Sequence, residues 1–433
     1  MATTLVKVRC LQRKLYSRSK HRPEENFYSL YDKLYRPDIL HEAYARCRAN
    51  KGGAGLDGQT FEQIERGQGG MAGFITNLAK DLKDKSYKPG PIKRVMISKG
   101  DGKERPLGIA SIRDRVVQMA CNIIMQPIYD PHLHRESYGY RPKRSAQQAV
   151  KMIESYLNTG YTQVLDADLS GYFDSIPREE LLEKAARRIS DESLMKLLKQ
   201  MLKAPIAQVG RNGKMRVVAN DIGIGTPQGS CLSPLLANIY LNDFCKLIEE
   251  KTPCRIITYA DDFVILSKQA YTAEQLEWVE RRLQREGLTL NRDKTHCVDM
   301  SEEGQAFDFL GFNFKRVRSF YRKSTYIEIA PSKKSQKKFK EAIREIVKHR
   351  TSATLEVLVA RVNRITRGWK NYFGKVGHPR KIFFKLDWFV VARFYRWSRN
   401  RSQRKSRYLA QDAWRKLRAA GLVYLQPVAT KSM

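Results

Sequence analysis

The strongest constraint in this sequence is a pair of aspartates set between two apolar runs. Arg255-Ile256-Ile257-Thr258-Tyr259 leads into Ala260-Asp261-Asp262, and Phe263-Val264-Ile265-Leu266 follows. β-Branched and aromatic residues on both sides read as strands, so the segment is a strand, a tight turn and a second strand. Aspartate is common in turns, and ordinary turn chemistry is the plain reading. Asn-Gly or Asp-Gly is the better pure turn solution, however, because the tight hairpin turns want positive φ. Asp-Asp offers no glycine and sets two like charges side by side. A bound divalent cation would remove that repulsion.

A second acidic site lies at Val164-Leu165-Asp166-Ala167-Asp168-Leu169. Two acids here interrupt an otherwise buried strand, where aspartate is depleted and costly to bury unpaired. Alternation puts Asp166 and Asp168 on one face. An acidic strand face beside an acidic hairpin tip makes an oxygen-rich cage for Mg²⁺. Two such ions roughly 3.5–4 Å apart would clamp the attacking and leaving oxygens of an in-line phosphoryl transfer. That is polymerase chemistry, and a nuclease would use a similar cage.

Charge narrows the partners. Lys plus Arg number 80 against 45 Asp plus Glu, a formal charge of +35. Such an excess calls for a polyanion, with nucleic acid ahead of an anionic membrane surface. No run of about 18 apolar residues suggests a membrane span, and the basic N-terminus has no continuous apolar core of a signal peptide. The seven cysteines form no C-x-x-C pair and the seven histidines no zinc-ligand spacing. A reducing, cytoplasmic setting is expected.

At 433 residues the chain is too long for one compact core. Residues 1–48 read as largely helical and basic, ending in a Gly-rich loop. Helix resumes over 59–92 and stops at Lys88-Pro89-Gly90-Pro91. Short strands are expected around Val95-Met96-Ile97 and Leu107-Gly108-Ile109, joined by a turn at Lys99-Gly100-Asp101-Gly102-Lys103. Helix is expected over 114–128 and 273–286, and a short strand over 307–314. After about 315 basic residues thicken, and Leu355, Leu358, Val359, Val362 and Ile365 recur at helical spacing, which predicts a separate helical domain.

These motifs together resemble the reverse transcriptases encoded by group II introns, in a form without an endonuclease domain. The Tyr259-Ala260-Asp261-Asp262 hairpin and the upstream Asp168 strand match the palm. In the family's order come Gly53-Ala54-Gly55-Leu56-Asp57-Gly58, Arg105-Pro106-Leu107-Gly108-Ile109, Ser137-Tyr138-Gly139-Tyr140-Arg141-Pro142 and Gly225-Thr226-Pro227-Gln228-Gly229, which continues into Ser233-Pro234-Leu235-Leu236-Ala237-Asn238. Asn291 to Lys294, Phe309-Leu310-Gly311-Phe312 and Arg367-Gly368-Trp369 complete the series.

The resemblance implies an α+β, right-hand polymerase fold: fingers and palm with an antiparallel sheet flanked by helices, and a helical thumb called domain X. The implied organisation is a basic extension over 1–48, fingers over 49–160 and a palm over 161–315 with some interleaving. A thumb over 316–400 and a short basic segment over 401–433 follow. It implies RNA-directed DNA synthesis from dNTPs on an RNA template with a DNA or RNA primer. It also implies binding of a structured intron or other non-coding RNA. Two Mg²⁺ ions are implied, with Mn²⁺ as a substitute.

By the same resemblance Asp168, five residues before Phe173, is the first catalytic aspartate, Asp261 and Asp262 complete the triad, and the Leu169 carbonyl is a further metal ligand. Phe173 is the steric gate against a ribose 2′-hydroxyl. Gln228 touches the incoming nucleotide, and Lys99 and Arg105 grip its triphosphate. Arg141, Lys294, Lys370, Arg396 and Arg399 are expected along the nucleic-acid track. A detached enzyme serving the host in repair or phage defence is the rival use, and a splicing maturase with secondary polymerase activity is the other.

Overall fold

The computed structural model describes residues 2–98, 104–209, 215–220, 222–227, 229–319, 324–348, 351–399 and 413–426. Lys99, Gln228 and the basic run after Arg399 lie outside the described residues. The strands are β1 (Ile92–Ser98), β2 (Glu104–Ile109), β3 (Gln163–Asp168), β4 (Ile206–Val209), β5 (Met215–Val218), β6 (Arg255–Tyr259), β7 (Asp262–Ser267), β8 (His296–Asp299), β9 (Ala306–Phe309), β10 (Phe312–Arg318) and β11 (Thr325–Pro331). The chain divides into two units. One comprises Met1–Arg144, Asp168–Asp261 and Thr272–Asp293; the other comprises Ser145–Ala167, Asp262–Tyr271 and Lys294–Met433.

The first unit is organised around the helix Ile112–Tyr129. Val116, Val117, Ala120, Cys121, Ile124 and Ile128 are all fully buried, and Ile112, Ile123 and Met125 are buried beside them, so this helix is enclosed over most of its circumference, with Asn122 and Gln126 on the remaining side. Ser111 caps it by accepting from the Asp114 amide. Asp114 is itself buried and holds the turn that starts β1: it accepts from the Tyr87 hydroxyl at 2.6 Å and the Gly90 amide at 3.1 Å. The sheet of this unit runs β2-β1-β4-β5. β1 and β2 are antiparallel, with Ile97 opposite Arg105, and β1 meets β4 in parallel at Ile92 and Ile206. β4 and β5 were not expected from the sequence. Each has four residues and β5 is exposed along its length, so no alternation marks it. The helix expected over 59–92 is two, Phe61–Arg66 and Gly70–Lys83, parted at the glycines between them.

In the second unit β7, β3 and β8 lie side by side in that order. β3 pairs antiparallel with β8, Val164 against Val298 and Leu165 against Cys297. A second sheet, β11-β10-β9, follows. The expectation that helix begins after 315 is corrected here: β10 continues to Arg318 and β11 to Pro331, and helix begins at Lys333. Ile327 and Ile329 are buried while Tyr326 is exposed, the period-two pattern of a half-buried strand. Helices Lys333–Ile346, Leu355–Phe373, Arg380–Arg399 and Ala413–Ala419 complete the unit. Trp369 packs between Phe339 (4.7 Å) and Phe373 (4.4 Å), and Phe373 packs on Phe312 (4.8 Å). These rings join the last helices to the second sheet.

Candidate active site

The tip of the acidic hairpin is braced from one side by residues 136–139. Tyr138 donates its amide to the Thr258 carbonyl (2.9 Å), and the Thr258 amide donates to the Glu136 carbonyl (3.1 Å), pairing β6 with this segment in parallel. Ala260 takes a left-handed φ of 61°, a conformation disfavoured for any residue with a Cβ. Surrounding structure must hold it there, and Gly139 is the close neighbour. A Cβ on Gly139 would stand 2.4 Å from the Ala260 nitrogen. Asn238 fixes Gly139 in turn by donating to its carbonyl at 2.8 Å. Two sequence motifs far apart in the chain thus converge on the turn that presents Asp261.

Asp168 ends β3 and is braced by residues 289–291. Ser170 donates its amide to the Thr289 carbonyl (2.9 Å), and the Asn291 amide donates to the Asp168 carbonyl (2.8 Å). Leu169 and Leu290 are thereby opposite each other in a pair without hydrogen bonds of its own. The Leu169 carbonyl therefore points away from residues 289–291. The Asn291 side chain donates to Asp168 Oδ2 at 3.4 Å. The sequence marked Asn291 as part of a motif but gave no sign that it touches the carboxylate. Asp168 and Asp261 are both half-exposed. Asp261 is near enough to the buried Tyr172 phenol to act on it. Burial, then Cys245, Tyr240 and Asp261, hold that phenol well above its usual range.

A cavity of about 410 Å³ lies in the same unit. Its walls include Ser98, Arg105, Tyr140, Phe173, Gly229 and Ser230. Arg105 comes from β2 and Phe173 from the short helix Tyr172–Ser175, so residues distant in sequence share one wall. Gly229 has φ of +102°, and a Cβ there would meet the Gly108 carbonyl oxygen at 2.4 Å, so the turn can seat against β2 only as glycine. Lys99 follows Ser98 in sequence and Gln228 precedes Gly229, but neither is among the described residues.

Arg141 is a correction. Its guanidinium pairs with Asp130 (2.8 Å) and donates to the carbonyls of Asp130, His134 and Ser137, with its side chain 6% exposed. It braces the segment that holds the hairpin and is not on a nucleic-acid face. Lys370 is half-buried and donates to the Tyr424 carbonyl, while Lys294, Arg396 and Arg399 are exposed. Among the described residues no group of three or more His, Cys, Asp and Glu side chains is gathered as a metal site. Carboxylate oxygens at Asp168 and Asp261, with the outward Leu169 carbonyl, are nevertheless the hard donors a divalent cation takes.

Residues 97–314 match the family model described as reverse transcriptase (RNA-dependent DNA polymerase), and residues 336–417 match the group II intron maturase-specific domain. The chain belongs to the group II intron reverse transcriptase family. Protein YkfC of Escherichia coli is 32% identical over 369 residues, covering 75% of this chain and 93% of that protein. The group II intron-encoded protein LtrA of Lactococcus lactis is 34% identical over 233 residues, 53% of this chain and 37% of LtrA. A 91 kDa protein in the cob intron of Schizosaccharomyces pombe is 33% identical over 241 residues, 54% of this chain and 28% of that protein. This chain therefore spans well under half the length of the two intron proteins. Reverse transcriptases use divalent metal ions, and this chain carries the reverse transcriptase region with both acidic segments inside it.

Proposed function

We propose that this chain copies RNA into DNA with Asp168, Asp261 and Asp262 as its catalytic carboxylates and two Mg²⁺ ions as cofactors, Mn²⁺ substituting. The three carboxylates and the Leu169 carbonyl would hold the ions. When bound, the ions supply charge neutralisation at the transferred phosphate and activation of the attacking hydroxyl. The protein's own share is positioning. Asn291 orients the Asp168 carboxylate, and Gly139 seats the turn that aims Asp261. Arg105, with Lys99, grips the triphosphate by charge-assisted hydrogen bonds. Phe173 excludes a 2′-hydroxyl, and Gln228 supports the nucleotide beside the template base. The observation that carries this reading is the single cavity that brings Arg105, Phe173 and the Gly229 turn to one wall.

The maturase-specific region offers a face for structured RNA, such as an intron. Along the helix Arg380–Arg399, Lys381, Phe384, Lys385, Trp388, Arg396 and Arg399 are exposed at helical spacing, and Phe384 and Trp388 are each 51% exposed. Basic side chains would hold phosphates and the two rings would stack bases.

Primer extension on an RNA template with dNTPs and Mg²⁺ tests the catalytic assignment. Synthesis is expected from the wild type and only background from Asp261→Ala. Equal activity in the two proteins would remove Asp261 from the site.

A further inference from the structure

The wall of the nucleotide cavity is not self-supporting. The described residues 219, 220 and 222–227, which lead toward the Gly229 turn, belong to no helix and make only a single bridge. They are laced instead onto residues 173–178. Thr226 donates its amide to the Phe173 carbonyl (2.7 Å), and Gly225 donates to the Ile176 carbonyl (2.8 Å). Pro177 and Ile224 form a single antiparallel bridge. The Arg178 amide donates to the Gly223 carbonyl (2.9 Å).

Arg178 completes the lacing with its side chain. It is 5% exposed. Its Nε donates to the Gly225 carbonyl (2.9 Å), one terminal nitrogen to the Asn220 carbonyl (2.6 Å) and the other to Asn220 Oδ1 (2.7 Å). Asn220 is buried too, and its amide donates to the carbonyls of Leu202 and Ala204, at and just past the end of the helix Glu192–Leu202. A planar guanidinium therefore spans two points five residues apart in the loop, and Asn220 anchors the far point to the helix end. A second cavity of about 300 Å³, lined by Arg178, Asn220, Asp174, Gly225, Thr226 and Pro227 among others, borders this arrangement.

Burying a guanidinium to hold a loop is costly, and an apolar packing of the same volume is often as stable. What the fork adds is geometry: three donors in one plane set one spacing. That spacing fixes Gly225 and Thr226 relative to Phe173, five residues before Arg178 on the partner segment.

We propose that Arg178 is a positioning residue of the nucleotide site, holding Gly225–Pro227, the approach to the Gly229 turn, at a set distance from Phe173 and thereby tuning both dNTP binding and sugar selectivity. The inference rests on the reading that Phe173 and this turn face the incoming nucleotide. Arg178 touches neither substrate nor metal; it acts through the loop.

The test is steady-state and single-turnover extension with dNTPs and with rNTPs for Arg178→Lys, Asn220→Ala and Phe173→Ala. Lysine keeps the charge but loses the planar fork. The KM for dNTP rises in Arg178→Lys by up to about a hundredfold, the cost of a misplacement of about 1 Å transmitted from outside the chemistry. The preference for dNTP over rNTP falls with it, while template–primer affinity and the melting midpoint stay near wild type. Asn220→Ala shows the same pattern, more weakly. A purely structural role would lower the active fraction and leave KM and the sugar preference of the remaining enzyme unchanged, and that result overturns the proposal. If Phe173→Ala relaxes sugar selectivity and Arg178→Lys does not, the inference fails while the nucleotide-site reading stands. If Phe173→Ala changes nothing, the gate reading fails, and the dNTP KM of the Arg178 and Asn220 variants alone decides.

Discussion

Gly139 gives the sharpest test of how the acidic turn is held. In Gly139→Ala the new Cβ would stand 2.4 Å from the Ala260 nitrogen, 3.0 Å from the Tyr259 carbonyl carbon and 3.2 Å from the Ala260 Cα. All three are backbone atoms, so no side chain can swing aside. Ordinary contact begins at 3.4 Å, so the two backbones must separate by 1.0 Å at the closest pair. Residues 136–138 are tied to β6 by two hydrogen bonds and Gly139 to Asn238 by a third, which leaves the turn carrying Asp261 as the part that yields. A displacement of this size at a reacting group costs about a hundredfold in rate, while overpacking of this kind costs about 1–3 kcal/mol of stability. The assay is single-turnover addition of one nucleotide at saturating dNTP, where the rate constant does not depend on the fraction of active enzyme. Gly53→Ala serves as the control, because a Cβ there meets nothing within 4 Å. A Gly139→Ala rate equal to wild type, with the fold intact, would refute the argument that this glycine seats the turn.

Two further outcomes follow from other parts of the molecule. Replacing Phe384 and Trp388 with alanine weakens binding to single-stranded RNA by about 1–3 kcal/mol per stacked base, read by fluorescence anisotropy; unchanged affinity would remove this face from RNA recognition. His132 makes stability pH-dependent. Burial and the neighbouring Arg188 charge lower its pKa from the usual 6.5, although its bond to the Ser19 carbonyl opposes them. The folded state therefore binds fewer protons than the unfolded state as pH falls through 6.5, so this contribution is present above 6.5 and is lost on acidification. Denaturant melts of wild type and His132→Gln between neutral and mildly acidic pH should show a smaller loss in the variant.

The two acidic segments were legible because they break the rules of their surroundings. Aspartates inside apolar β-branched runs need a reason, and the spacing of Asp168 to Phe173 matched a family. The buried helix around Val116 and Ile124 and the strands flanking Lys99 were visible for the opposite reason, since local pattern and environment agree. β4 and β5 were hidden because short, exposed strands carry no period. β11 was hidden because its basic neighbourhood drew attention to charge, although the alternation of Ile327 and Ile329 was there to be read. Arg141 misled for a related reason. A basic residue in a family motif suggests a phosphate, yet its planar donors match clustered carbonyls equally well.

The sequence by itself determined the groups on which the proposed chemistry rests: the candidate carboxylates, the candidate phosphate-binding cations and the order of the motifs are all properties of residue type and spacing. Only the tertiary structure decided what holds them. That Gly139 meets Ala260, that Asn291 reaches Asp168 and that Arg178 spans Asn220 and Gly225 are contacts between residues tens to more than a hundred positions apart. No local propensity encodes them. They arise because close packing and the need to satisfy every buried polar group leave few places for a glycine or a guanidinium to go.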